Sequence, residues 1–230
     1  LLKDFRIGAL RLWSTYRATP NTGFRDVEEF HKNGFYLMMC YGSEGFAPWP
    51  MIPKDFTAWK KALNGLATKY RGKVQIYEML NEMAVGNIWG GRMKNPDPSK
   101  YYEMTPEVNA LVIRELSEAV KAGDPDAKVA GPASCHTDIA WTSSMLAQGG
   151  AKGLDIITEH PYRQLPELPD YEPELQTLQK VADKYKPGFP VTATEAGERS
   201  FSLFPDNNRI PGFERQRVAY NTRMMLIGFG

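Results

Sequence analysis

The sequence predicts an α/β fold, a (β/α)8 TIM barrel of which about six strands are present, the second to the seventh. Three observations predict it. Short apolar runs alternate with amphipathic segments along the 230 residues, the pattern of a parallel sheet wrapped by helices. Several runs are apolar on both faces, as strands become when helices cover them. Polar residues gather where the runs end, at Trp13-Ser14, Tyr41, Asn81-Glu82, Ser134, His160 to Tyr162, and Glu195. Barrel enzymes carry their active sites at that end of the strands. An open doubly wound sheet is the competing architecture. No Gly-rich phosphate loop follows any run, which counts against its nucleotide-binding form.

The elements follow in order. IGALRLW (7–13) is the first run, and the amphipathic TGFRDVEEFHKNG (22–34) stops at Gly34. FYLMMCYG (35–42) is the second run. KDFTAWKKALNGLATKYRG (54–72) sets Phe56, Trp59, Leu63, Leu66 and Ala67 at helical spacing and stops at Gly72. VQIYEML (74–80) is the third run. TPEVNALVIRELSEAVKAG (105–123) opens on Thr-Pro-Glu, a helix start signal, and stops at Gly123. KVAGPA (128–133), LDIITEH (154–160) and PVTATE (190–195) complete the strands. Helical segments lie at TDIAWTSSMLAQGG (137–150), PELQTLQKVADKY (173–185) and FERQRVAYNTRMMLIG (213–228). LLKDFR (1–6) reads as the end of a helix, so a first strand is expected before Leu1 and an eighth after Gly230. The expectation is one catalytic barrel domain over 1–230, incomplete at both ends.

The totals exclude several classes. Hydrophobic residues are 42% and charged residues 24%, ordinary for a soluble globular protein. A formal net charge of +1 points to neither nucleic acid nor an anionic membrane as partner. No apolar run approaches the ~20 residues that span a bilayer. The chain starts at Leu1 rather than Met, so an upstream segment is expected, and any signal peptide would lie there. Cys40 and Cys135, the only cysteines, make neither a disulfide framework nor a zinc spacing and read as buried thiols.

The chemistry lies at two run ends. YEMLNEM (77–83) starts as a buried strand and ends on an amide and an acid, Asn81 and Glu82. An unpaired carboxylate is costly inside a strand core. A second acid, Glu195, ends PVTATE, where Val191, Ala193 and Glu195 alternate and are expected to share one face, with small residues below the carboxylate. Two carboxyls at one barrel mouth are what glycoside hydrolysis needs: one protonated to donate to the leaving oxygen, one ionised to attack the anomeric carbon. Their surroundings must push the two pKa values apart. Asn81 is placed to hydrogen-bond a sugar 2-hydroxyl.

Asn-Glu at one strand end, His-Pro-Tyr (160–162) at a later one and Glu at the next resemble the clan A, or 4/7, glycoside hydrolases. The phrases YEMLNE, AGPAS, DIITEHPY and VTATEAG look closest to family 39 and its neighbours. Met83 departs from the Pro that many members carry after Asn-Glu. With the first run taken as the second barrel strand, YEMLNE is strand four and VTATE strand seven, the clan's places for its acids. The resemblance implies Glu82 as general acid/base and Glu195 as nucleophile of a retaining hydrolase. It implies Asn81 on the 2-hydroxyl, His160 or Tyr162 near the nucleophile, and Arg11 orienting and ionising it. The partner would be a carbohydrate; no metal or organic cofactor is needed. Polysaccharide-degrading members are often secreted, which weakly favours an extracytoplasmic location. Oligomeric state is not legible.

Other residues are weighed beside these. Trp13, Trp49, Trp89 and Trp141 are candidates for sugar stacking, while Trp59 has core spacing. His136 is a candidate site residue, and His31 an exposed one. Glu78 reads as a structural ion-pair partner, and Glu159 and Glu198 as solvated or supporting acids. The segments 83–104 and 200–212 are expected to shape the cleft. Two other functions compete: a carbohydrate-binding pseudoenzyme on the same barrel, and a metal-dependent, isomerase-like barrel using His136, His160 and nearby carboxylates.

Overall fold

Eight strands and five α-helices are described by the computed structural model, over residues 8–15, 25–42, 52–83, 97–162 and 171–196. The strands are Ala9–Thr15 (β1), Tyr36–Gly42 (β2), Ile52–Pro53 (β3), Ile76–Met79 (β4), Tyr101–Tyr102 (β5), Lys128–Cys135 (β6), Ile156–His160 (β7) and Val191–Ala193 (β8). The helices are Arg25–Lys32 (α1), Thr57–Lys69 (α2), Pro106–Gly123 (α3), Ile139–Ala147 (α4) and Tyr171–Asp183 (α5). Six strands form one parallel sheet in the order β1-β2-β4-β6-β7-β8, curled into part of a (β/α)8 barrel. Every strand of that sheet overlaps a run picked out by its apolar residues, with β1 and β6 each extending two residues beyond it. The helical segment at 213–228 and the loop at 200–212 lie outside the described residues.

Strand alternation divides the side chains between two layers. Leu37, Met39 and Tyr41 of β2, Tyr77 and Met79 of β4, Val129 of β6 and Ile157 of β7 join Trp59, Leu63, Ile113 and Leu116 in the main core. That layer lies between sheet and helices. The intervening Cys40, Glu78 and Thr158 are also buried and fall on the concave inner face. Trp59 is core, as its spacing predicts. Full burial of such a ring is worth several kcal/mol; truncating a buried Phe or Trp to Ala costs about 3–5 kcal/mol.

The local signals hold in the structure. Gly34 and Gly72 stop α1 and α2 with φ of 76° and 71°, a conformation glycine adopts without a Cβ penalty. Thr105 caps α3, its Oγ1 accepting from the Val108 N–H at 3.3 Å, with Pro106 in the first turn. Asp138 caps α4 through the Trp141 N–H at 2.9 Å. Among the described residues no helix is long and apolar enough to cross a membrane.

Two features differ from expectation. β3 and β5 pair antiparallel, Ile52 with Tyr102 and Pro53 with Tyr101, so part of the segment 83–104 is ribbon. Tyr102 stacks on Phe56 and Phe56 on Trp59, which fastens this ribbon to the core; two-residue strands leave no periodicity in the sequence. The alternation through Val191, Ala193 and Glu195 also breaks. Val191 packs against the helix-side core and Ala193 is exposed, because β8 ends there. Thr194 and Glu195 lie in a bend, and both turn to the inner face.

α2 and α3 touch through Gly123. A Cβ there would stand 2.7 Å from Ala67 Cβ and 2.7 Å from the Asn64 carbonyl oxygen, distances that force the helices apart. Gly123→Ala is expected to lower unfolding free energy by about 1–3 kcal/mol in chemical denaturation, while Gly65→Ala, with open space at its Cβ, should not destabilise.

Candidate active site

The site starts where β4 stops. After Met79 the chain leaves the sheet through two non-glycine residues at positive φ, Leu80 at 70° and Glu82 at 51°. Such conformations cost of order 1–3 kcal/mol each and persist where neighbours hold them. Here the Leu80 N–H donates to Tyr41 O of β2 at 3.0 Å and the Glu82 N–H to Ala133 O of β6 at 2.8 Å. The turn swings Asn81 and Glu82 over the inner mouth instead of into the core.

Arg11, on β1, holds three groups with one guanidinium. Nε donates to Glu78 Oε2 at 2.6 Å, Nη2 to Asn81 Oδ1 at 2.7 Å, and Nη1 to Glu195 Oε1. Glu78 is fully buried and also accepts from Thr194 Oγ1 at 2.6 Å. It is the structural ion-pair partner its position predicts. The Asn81 side-chain carbonyl is occupied by Arg11, which leaves its amide N–H groups as donors towards a ligand.

The two acids sit in different surroundings. Glu195 accepts from Arg11 on one oxygen and from the Tyr162 hydroxyl at 2.6 Å on the other. Burial first, and the bond to Glu195 next, push the Tyr162 hydroxyl up, so it stays protonated and donating. Glu82 meets His160 Nδ1 at 3.0 Å through Oε1. His160 is fully buried, and its Nε2 has no hydrogen-bond partner among the described residues. His136 supports the cluster from the end of β6: its Nδ1 lies 3.2 Å from Tyr162 O, and its backbone bridges to His160. One oxygen of Glu82, one of Glu195 and a ring nitrogen of His160 lie within 4.8 Å of one another.

The structure thus brings together Arg11, Asn81, Glu82, His136, His160, Tyr162 and Glu195. Trp13 pairs through its backbone with Cys40; its side chain, with Trp49, Trp89 and Glu198, lies outside the described residues. Trp141 does not reach the site. It is buried in α4 with Nε1 donating to Asn109 Oδ1 at 3.1 Å, so its aromatic face serves the core and not a sugar. Glu159 is not solvated either. It is fully buried on the helix side of β7, with Thr142 Oγ1 donating to Oε1 at 3.0 Å and Oε2 without a partner among the described residues. Burial, with Asp138 adding to it, pushes its carboxyl well up.

One electrostatic expectation is reversed. A waiting general acid should be raised, yet Glu82 is held below its ordinary value. Burial raises it, but the His160 hydrogen bond, the Cys135 thiol and the charges of His160 and His136 outweigh burial. Cys135 and Thr194 are polar contacts that no sequence motif singles out. In the sequence Cys135 is visible only as a thiol at a strand end, and Thr194 only as one of two threonines flanking Ala193.

A buried neutral acid has a clear linkage sign. Glu159 has its folded pKa raised, so its contribution is present below the unfolded value of about 4.3 and is lost as pH rises towards the folded one. Glu159→Gln keeps the shape without the ionisation. The stability of the variant relative to the parent should therefore climb as pH rises above about 4.3, read from denaturation midpoints across a pH series.

The family model of glycoside hydrolase family 44 matches residues 50–174, more than half of the chain. Solved structures share its fold. A family 39 glycoside hydrolase from the gut symbiont Bacteroides cellulosilyticus WH2 aligns with a TM-score of 0.66 at 19% identity, over 97% of this chain and 50% of that one. A family 44 xyloglucanase from Paenibacillus polymyxa aligns at 0.53 and 17%, over 74% and 52%. Cel44A, a family 44 endoglucanase from Clostridium thermocellum, aligns at 0.52 and 16%, over 74% and 53%. The chain spans about half the length of these proteins. No curated protein sequence matches it. The clan A resemblance of the strand ends and the barrel fold agree with the matched model, and the chain belongs to glycoside hydrolase family 44.

Proposed function

We propose that this chain carries the catalytic barrel of a glycosidase that cleaves O-glycosidic bonds of a poly- or oligosaccharide with retention. Glu195 attacks the anomeric carbon and Glu82 protonates the departing oxygen as the glycosidic bond breaks. Water, deprotonated by Glu82, then attacks the same carbon and frees Glu195. The observation that carries this reading is the pair of facing carboxylates, with oxygens within 4.8 Å of each other. That approach is compatible with the ~5–5.5 Å carboxyl spacing of retaining enzymes.

The unequal surroundings support the assignment of roles. Arg11 and Tyr162 hold one Glu195 oxygen each and fix the carboxyl for attack. Glu82 has the more adjustable partner, a histidine, as a group that gives and takes one proton should. In the free chain Glu82 is held ionised; a sugar that displaces water from the cleft adds desolvation and raises it. The basic limb of kcat is therefore expected at higher pH than that of kcat/KM, because the first reports the complex and the second the free enzyme.

Xyloglucan and other glucans, suggested by the family 44 xyloglucanase and endoglucanase, are the first substrates to test. Glu195→Ala should abolish turnover on polysaccharide and activated aryl glycoside alike. Glu82→Ala should lose about 10²–10⁴-fold on polysaccharide and much less in the glycosylation step of the aryl glycoside, whose leaving group needs little acid help. Equal, small losses in both variants would sink the assignment.

The cluster of Glu82, His160 and Glu195 raises a second reading, a divalent metal site. The donor set fits it poorly. Both Glu195 oxygens are engaged, one by the Arg11 guanidinium, and a dication would stand beside that fixed positive charge. Turnover that survives exhaustive chelation is the expected result; loss restored by one divalent ion would favour the metal reading.

A further inference from the structure

Cys135 is the last residue of β6, and in the sheet it stands directly opposite His160 of β7. The pair forms one rung at the barrel mouth. His160 Nδ1 lies 3.0 Å from Glu82 Oε1, and Cys135, on the same rung of the sheet, lies close enough to the Glu82 carboxyl to help hold it below its ordinary value. The Glu82 backbone is tied to the same strand two residues earlier, by its N–H to Ala133 O at 2.8 Å. Glu82 is thus held through its main chain by β6 and through its carboxyl by His160 of β7, with Cys135 beside that histidine.

We propose that Cys135 is a positioning residue for the acid/base: its thiol donates to the Glu82 carboxylate and sets both the orientation of that carboxylate and how readily it gives up its proton. An S–H is a weak donor, but its place makes it count. Cys135 is 5% exposed, so when the thiol is removed little water is at hand to replace the lost donor. Donation stabilises the anion, which favours proton transfer to the leaving oxygen and opposes uptake of the proton from water in the second step.

The other groups that bear on Glu82 come from each side of the mouth. His160 stands on β7, His136 follows β6, and Tyr162 and Glu195 face it across the cleft.

The test is a carbon-13 NMR titration of the side-chain carboxyls in the full chain, with the Glu82 signal assigned by its absence in Glu82→Gln. Cys135→Ala should raise the Glu82 midpoint by about half a pH unit. Cys135→Ser, which restores a hydroxyl donor, should return it to or below the parent value. Cys135→Val, close to cysteine in volume, serves if the alanine variant fails to fold. Midpoints unchanged in Cys135→Ala and Cys135→Val would overturn the proposal. The consequence for turnover rests on the glycosidase reading: the basic limb of kcat/KM on an aryl glycoside should move up with the midpoint, whereas a purely structural cysteine would lower the rate at all pH values without moving the limb. A shifted midpoint with no hydrolase activity in the parent would sink the glycosidase reading and leave the thiol contact standing.

Discussion

The bond between Arg11 and Glu195 closes the mouth of the barrel. β1 and β8 are the two outer strands of the six-stranded order, and no backbone ladder joins them among the described residues. The Arg11 guanidinium spans that gap, reaching Glu195 just beyond β8 while holding Glu78 and Asn81 at β4. One side chain therefore fixes the relative positions of three strand ends. A buried charge with part of its partners removed is strongly destabilising, so this arrangement is all or nothing. It is also the reason an acid as deep as Glu78 can be fully buried: it has the guanidinium on one oxygen and Thr194 on the other.

From that anchor the two acids differentiate. Glu195 is bound on both oxygens and has little freedom. Glu82 is presented by a backbone turn and steadied by residues of β6 and β7 that Arg11 does not touch. The barrel thus supplies a rigid half and a responsive half to one cleft. The chemistry proposed for the site needs that asymmetry, because one carboxylate must only attack while the other must change its protonation twice per cycle.

Much of this was legible in the residues. Strands buried on both faces announce themselves as apolar runs, and Gly34, Gly72, Thr105 and Pro106 mark helix ends by local chemistry that tertiary contacts do not override. The acids could be read because a carboxylate at the end of a buried strand is costly unless a partner or a ligand meets it there. What the residues hid was orientation. Trp141 and Glu159 sit close in sequence to site-like neighbours, yet helix and strand geometry turn both into the core. A sequence does not show whether an aromatic at a helix start faces the mouth or the sheet. The lowered proton affinity of Glu82 was equally hidden, since its donors come from 53 and 78 residues further along the chain. The β3–β5 ribbon was hidden for a different reason: its stability lies in stacked rings, not in strand length.

The left-handed backbone at Glu82 has an evolutionary side. Glycine would adopt φ of 51° without strain and would remove a half-buried charge at the same time. If Glu82 has the proposed acid/base role, the drift towards greater stability at this position runs against activity, the conflict seen when a strained residue serves function and not folding. A chain relieved of hydrolysis, kept only to bind sugar, would be free to relax there. On the proposed role, the residue at position 82 would then record which related chains are still under selection to turn over substrate.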